Sequence, residues 1–201
     1  GSHFTRMPSI VVPAARAYGD VAGRASAQAP LGRPPEGRLG GGSDVGLARL
    51  LALGQAPAQT EVSQALLPVL DCWRENPRAA TAALGGLTRQ RRPLLAARVL
   101  ECMQQAQVET NAFHFNAALS ACEKGQRWDL ALALLDSMPR LRVSPDVISC
   151  NSAISACAKA ARWQFALLLL GAVASLCVVP DVISCSGVVS ACEKAGQWQL
   201  A

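Results

Sequence analysis

Apolar residues along this chain come in short blocks at helical spacing. Leu130, Leu134, Leu135 and Met138 fall on one side of a helix. The block before it starts at Ala112, and there Asn116, Leu119, Ser120 and Glu123 keep the same spacing. Gly125-Gln126 breaks the chain between the two, and a short loop after the second leads to Pro145. The pattern predicts helix, tight turn, helix. Neither helix of such a pair buries its apolar face alone, so the pair needs neighbours of its own kind.

The sequence supplies them. Asp146-Val147-Ile148-Ser149-Cys150 returns as Asp181-Val182-Ile183-Ser184-Cys185, 35 residues on. Ser155-Ala156-Cys157 has counterparts at the same distance on both sides, Ser120-Ala121-Cys122 and Ser190-Ala191-Cys192. Trp128, Trp163 and Trp198 form another column, as do Lys124, Lys159 and Lys194, and Pro145 and Pro180 stand one period apart. Self-similarity at such a period is the mark of a solenoid, in which each unit touches mainly its neighbours.

Around this array the chain divides as follows. Residues 1–43 form a disordered leader, rich in Gly, Pro, Ala and Arg and without apolar periodicity. Between Met7 and Gly42 it carries four Arg and only two acids, so it is either an organelle transit peptide or a plain tail. Gly1-Ser2-His3 reads as a cloning scar or a translation artefact. Residues 44–76 hold two helices, one capped by Asp44 and ended by Gly54, the other capped by Thr60 and strained at Pro68. They are capping helices or a degenerate repeat. Asn76-Pro77 starts a degenerate repeat, 77–111, which keeps the register without a gap. Full repeats occupy 112–146 and 147–181. A truncated one, 182–201, ends inside its second helix, as a fragment would, and is expected to fray.

Composition narrows the picture. The apolar fraction of 51% suffices for a packed body, and the scarcity of aromatics at 4%, with Ala and Leu abundant, suits close-packed helices. A net charge of +5 permits a polyanionic partner without demanding one. Of eight Cys, five stand in repeat columns, which marks them as small packing residues rather than a disulfide framework, and a reducing compartment follows. No zinc-knuckle spacing occurs, so neither metal nor other cofactor is expected. Phe165 to Val179 carries no charge; it is too short for a bilayer span and is read as a deeply buried helix or a contact patch. The Trp column is expected to pack between layers.

The sequence Pro145-Asp146-Val147-Ile148-Ser149-Cys150-Asn151, followed by Ala156-Cys157-Ala158-Lys159, resembles the pentatricopeptide repeat. The related tetratricopeptide repeat has a different period and a Trp-Leu-Gly-Tyr pattern that is missing here. The resemblance covers 112–201 strongly, 77–111 weakly and 42–76 least. It implies an all-α fold, a right-handed α-solenoid of helix-turn-helix repeats, that reads single-stranded RNA one base per repeat on organellar transcripts. Location in the chloroplast or mitochondrion is implied, with the cytoplasm otherwise.

Carried onto this chain, the resemblance makes Asn116 with Asp146, and Asn151 with Asp181, base-reading pairs that prefer uracil. Thr81 with Asn111 resembles an adenine-preferring pair, and Ser186 would favour a purine, giving 5′-A-U-U-purine-3′. Phe113, Ile148 and Ile183 take the base-sandwiching position, while Arg78 departs from it. Lys124, Lys159, Lys194 and Arg89 take the phosphate position. Cys150 and Cys185 replace the usual aromatic neighbour of the reading Asn, which Phe115 keeps. Chemistry makes the roles intelligible: an amide both donates and accepts toward a base edge. Read as structure alone, the same Asp residues are helix N-caps, and the same Lys residues complement helix dipoles.

Two other functions compete. A helical-repeat scaffold binding a protein partner, tetratricopeptide-like, is favoured by the uncharged Phe165–Val179 stretch. An enzyme whose catalytic domain lies elsewhere is the other, since some family members carry a deaminase-like or nuclease domain. These residues contain no zinc-deaminase signature and no acidic metal cluster, so no catalytic site is assigned and the chain is read as a non-enzyme.

Overall fold

A computed structural model describes residues 41–54, 57–173 and 178–197. Among them are nine helices and no strand: α1 (Gly41–Ala52), α2 (Gln59–Glu75), α3 (Pro77–Arg89), α4 (Pro93–Gln105), α5 (Ala112–Lys124), α6 (Trp128–Arg140), α7 (Val147–Lys159), α8 (Trp163–Val173) and α9 (Val182–Lys194). Of the expected leader only 41–43 falls within the described residues, and those positions are helical. Trp198 and the expected fraying end lie outside them.

The helices form an all-α repeat solenoid in two layers. First helices stack in one layer, α3 on α5, α5 on α7 and α7 on α9, and each second helix, α4, α6 and α8, wedges between two of them. Small residues permit the stacking. Gly86, Ala121, Ala156 and Ala191 form one column, buried in every repeat, and at Gly86 a Cβ would run into the Leu47 side chain. Leu84, Leu119 and Ile154 fill the space beside it, and Cys122, Cys157 and Cys192 are fully buried one position on. Burial pushes the Cys122 thiol up to about 12 and those of Cys102, Cys150 and Cys157 to about 11, so these side chains behave as small apolar residues.

Every described turn within a repeat closes in the same way. Arg91, Gln126, Ala161 and Gly196, one per repeat, have positive φ of 51°, 56°, 53° and 68°. The next N–H then reaches back to the helix it has left: Arg92 to Leu87 O at 3.0 Å, Arg127 to Cys122 O at 2.9 Å, Arg162 to Cys157 O at 2.9 Å, Gln197 to Cys192 O at 2.8 Å. This is the Schellman closure, which satisfies carbonyls that the helix end leaves open. Gln107 and Arg142 repeat the device between repeats, followed by the buried Val108 and Val143.

Helices α1 and α2 stack on α3 and α4 as a repeat would. Two sequence expectations fail here. Helix α1 begins at Gly41, so Asp44 lies inside it; α2 begins after Ala58, so Thr60 lies inside α2. The α2 start is secured by Glu61, whose carboxylate accepts the Ala58 N–H at 2.8 Å. The helix runs unbroken through Pro68. Trp73 fills the space under α1, fully buried. Arg92 anchors the end of α1 by donating to Leu53 O at 3.1 Å and to Gly54 O.

Helix α8 is not a deeply buried helix. Ala166, Leu169 and Val173 face inward, yet Leu168 is 55% exposed and no charge stands on the outer side. Residues 174–177 of the uncharged stretch lie outside the described residues. No helix among the described residues is long and apolar enough to cross a membrane.

Candidate nucleic-acid interface

The N-termini of the first helices carry the candidate site. Pro145 and Pro180 end the preceding segments, and Asp146 and Asp181 follow with extended backbone as N-caps of α7 and α9. The Asp146 carboxylate accepts from Ser149 N at 2.7 Å, and that of Asp181 from Ser184 N at 2.8 Å. An N-cap carboxylate in this pose still has lone pairs facing the previous repeat. The previous repeat fills them. Asn116 Nδ2 lies 3.2 and 3.0 Å from the two oxygens of Asp146, and Asn151 Nδ2 lies 3.0 and 3.2 Å from those of Asp181.

A third side chain closes each cluster. The Ser149 hydroxyl sits 2.6 Å from Asn116 Oδ1 and 2.9 Å from Asp146 Oδ1; the Ser184 hydroxyl sits 2.5 Å from Asn151 Oδ1 and 3.0 Å from Asp181 Oδ1. Both serines are fully buried. Burial works to raise the Asp146 carboxyl, but the N–H and hydroxyl of Ser149 and the Asn116 amide outweigh it and hold it below its usual value. Asp181 is held low chiefly by the Ser184 N–H, with the Asn151 amide and the Ser184 hydroxyl adding to it. The clusters are anionic at neutral pH, and the charge fixes which end of each amide faces the carboxylate.

The repeat at 77–111 is built differently. No hydrogen bond joins Thr81 to Asn111: the Thr81 hydroxyl turns back to Pro77 O at 3.3 Å. Asn111 caps α5, with its Oδ1 accepting from His114 N at 3.2 Å. The His114 ring accepts from Asn111 N at Nδ1, 3.2 Å, and donates from Nε2 to Pro77 O, 3.0 Å. No hydrogen bond therefore links the two members of the expected adenine-type pair, and a fully buried imidazole stands in the place of the serine hydroxyl. The Ser186 hydroxyl likewise spends its proton on Ile183 O at 3.0 Å.

Beside the clusters, Phe113, Ile148 and Ile183 are 73%, 58% and 64% exposed, an apolar side chain in each repeat held out in solvent. Arg78 is the exposed residue at that position in 77–111. Phe115 and Cys150 are buried at equivalent positions, whereas Cys185 is exposed. Arg89, Lys124, Lys159 and Lys194 are all exposed at the ends of the first helices, and Lys159 donates to Glu123 Oε1 of the previous repeat at 2.8 Å. Further Arg residues stand close by at the turns. Arg127 grips Asp129 through two bonds of 2.9 and 2.7 Å, and the Arg162 guanidinium lies 5.1 Å from the Trp128 ring centre. Trp128 itself is half-buried between repeats, 4.8 Å from the Phe165 ring. Among the described residues no group of three metal-ligating side chains comes together.

A family model described as "Pentatricopeptide repeat-containing protein" matches residues 79–199, more than half of the chain. The chain belongs to the pentatricopeptide-repeat family. No curated protein matches it. In this pentatricopeptide-repeat chain, the sequence singled out the Asn and Asp of each cluster but passed over Ser149, Ser184 and His114. A mark was available, since these three residues share one column at the 35-residue period. So was the Arg92, Arg127, Arg162 column at the turns.

Proposed function

We propose that this pentatricopeptide-repeat chain binds single-stranded RNA selectively, with Asn116–Asp146 and Asn151–Asp181 reading two consecutive uracils. The observation that carries the reading is the identity of the two clusters. The same amide, carboxylate and hydroxyl meet in successive repeats, with amide–carboxylate distances of 3.0 and 3.2 Å in both and hydroxyl–amide distances of 2.6 and 2.5 Å, beside an exposed apolar side chain. Chelation of both carboxylate oxygens by one amide nitrogen leaves a second N–H and an Oδ1 lone pair for a base edge. Uracil offers a complementary acceptor and donor there. Phe113, Ile148 and Ile183 would pack against base faces. Lys124, Lys159, Lys194 and Arg89 would meet phosphates, a salt-dependent contribution.

The physiological role that follows is processing, stabilisation, editing or translation of an organellar transcript, by holding RNA extended without catalysis. The test is fluorescence anisotropy of the chain with labelled RNAs in which the two U positions are exchanged for C, A or G. Selectivity for U that disappears in Asn116→Ala and Asn151→Ala supports the reading. Indifference to base refutes it. The scaffold reading rests on α8, whose exposed Leu168 lies on an uncharged outer side. It predicts loss of a protein partner, with RNA affinity unchanged, in Leu168→Glu.

A further inference from the structure

The column His114, Ser149, Ser184 lies outside the base-reading and phosphate positions, yet it is fully buried beside the candidate reading groups. We propose that this column decides whether the preceding repeat discriminates its base: Ser149 and Ser184 are positioning residues for Asn116 and Asn151, and His114 abolishes discrimination at Thr81. The inference rests on the RNA-reading function proposed above.

A primary amide can present itself in two orientations, related by a half-turn about its last side-chain bond. The carboxylate favours Nδ2 toward Asp146, but a carboxylate alone leaves the amide free to swing about that contact. Ser149 removes this freedom. Its one proton lies between Asn116 Oδ1 at 2.6 Å and Asp146 Oδ1 at 2.9 Å, while its backbone N–H holds the same Asp146 oxygen at 2.7 Å. The serine thus grips both members of the pair from the rigid first turn of α7. Ser184 does so from α9, at 2.5, 3.0 and 2.8 Å. What remains for a base is one N–H and one lone pair in fixed directions, which is what discrimination by hydrogen bonding requires.

His114 occupies the same place with different chemistry. Both ring nitrogens are spent, Nδ1 on Asn111 N and Nε2 on Pro77 O, so neither can orient a group at position 81. The Thr81 hydroxyl is drawn to that same Pro77 carbonyl, at 3.3 Å. The 77–111 repeat therefore holds the RNA chain without choosing a base, and the adenine preference inferred from residue types is not expressed.

The test uses the full chain, circular dichroism to verify folding, and RNAs varied at each position of 5′-A-U-U-G-3′. Ser149→Ala is expected to reduce the preference for U over C at the first U by about tenfold, the effect of losing one hydrogen bond to a charged cluster, and to leave the second U within about twofold. Ser149→Thr, which keeps the hydroxyl, is expected to restore the preference. Wild-type chain is expected to bind A, C, G or U equally at the first position. A readout without RNA accompanies these: the Asn116 side-chain amide resonances and their proton exchange should change in Ser149→Ala and return toward wild type in Ser149→Thr. An unaltered Asn116 amide in Ser149→Ala overturns the proposal whether or not RNA binds. Full U preference in Ser149→Ala, with Asn116→Ala indifferent, overturns it while leaving the RNA reading intact. A wild-type chain indifferent to base refutes the reading, and this inference with it.

Discussion

Asn116 and Asp146 stand 30 residues apart in sequence and meet across a repeat boundary, amide nitrogen to both carboxylate oxygens at 3.2 and 3.0 Å. Asn151 and Asp181 repeat the relationship one period on, at 3.0 and 3.2 Å. Each Asp therefore serves two repeats. It starts the helix that follows it and aligns a polar side chain in the helix before.

The capping role predicts a stability loss separate from binding. Asp146→Ala removes the acceptor for Ser149 N and is expected to destabilise the fold by about 1 kcal/mol. Asp146→Asn, which keeps a capping oxygen, should lose less. Equilibrium urea denaturation followed by circular dichroism measures both.

The same carboxylates set an acid limit. Asp146 and Asp181 are held below their usual value in the folded chain, as is Asp129 beside Arg127. A depressed folded-state value adds stability that is complete above the unfolded carboxylate value of about 4 and lost as pH falls through the folded one. Thermal midpoints are expected to be insensitive to these groups from pH 5 to 8, roughly, and to drop below about pH 4. Asp146→Asn should show a shallower drop.

The turns predict a stabilising substitution. Ala161 has φ of 53°, a left-handed conformation that a side chain disfavours by about 1 kcal/mol. Ala161→Gly is expected to raise stability by up to about that amount. Gly196→Ala, at φ of 68°, should lower it similarly. Paired denaturation curves decide the sign of each.

Thiol chemistry offers a test of the packing. Cys72 and Cys185 are exposed, whereas Cys102, Cys122, Cys150, Cys157 and Cys192 are buried. Brief treatment of native protein with iodoacetamide, read by peptide mass spectrometry, is expected to label the first two. The five buried thiols should react only after denaturant is added.

Much of this architecture could be read from periodicity alone. Lys124, Lys159 and Lys194, with Cys122, Cys157 and Cys192, announce the repeat because they recur unchanged, and the small-residue column of Ala121, Ala156 and Ala191 shows where helices approach. What escaped depends on conformation or on chemistry that changes within a column. Arg91, Gln126 and Ala161 share a left-handed turn that no common side chain betrays. His114 and Ser149 occupy one position with unlike groups, so their common place beside the candidate site emerges only when the hydrogen bonds are traced. For α8 the uncharged run left burial and a contact patch both open, and the outward-facing Leu168 removes the first.

One measurement decides whether the two Asn–Asp clusters read bases. It is the affinity of the chain for single-stranded RNA carrying adjacent U-U against the same RNA carrying C-C, titrated over salt, with Asn116→Ala/Asn151→Ala as the comparison. Base reading by the clusters predicts tighter binding to U-U, loss of that preference in the double variant, and a parallel salt slope for both RNAs of about 0.7 log units per phosphate contact. Equal affinity of the folded wild-type chain for U-U and C-C would contradict it.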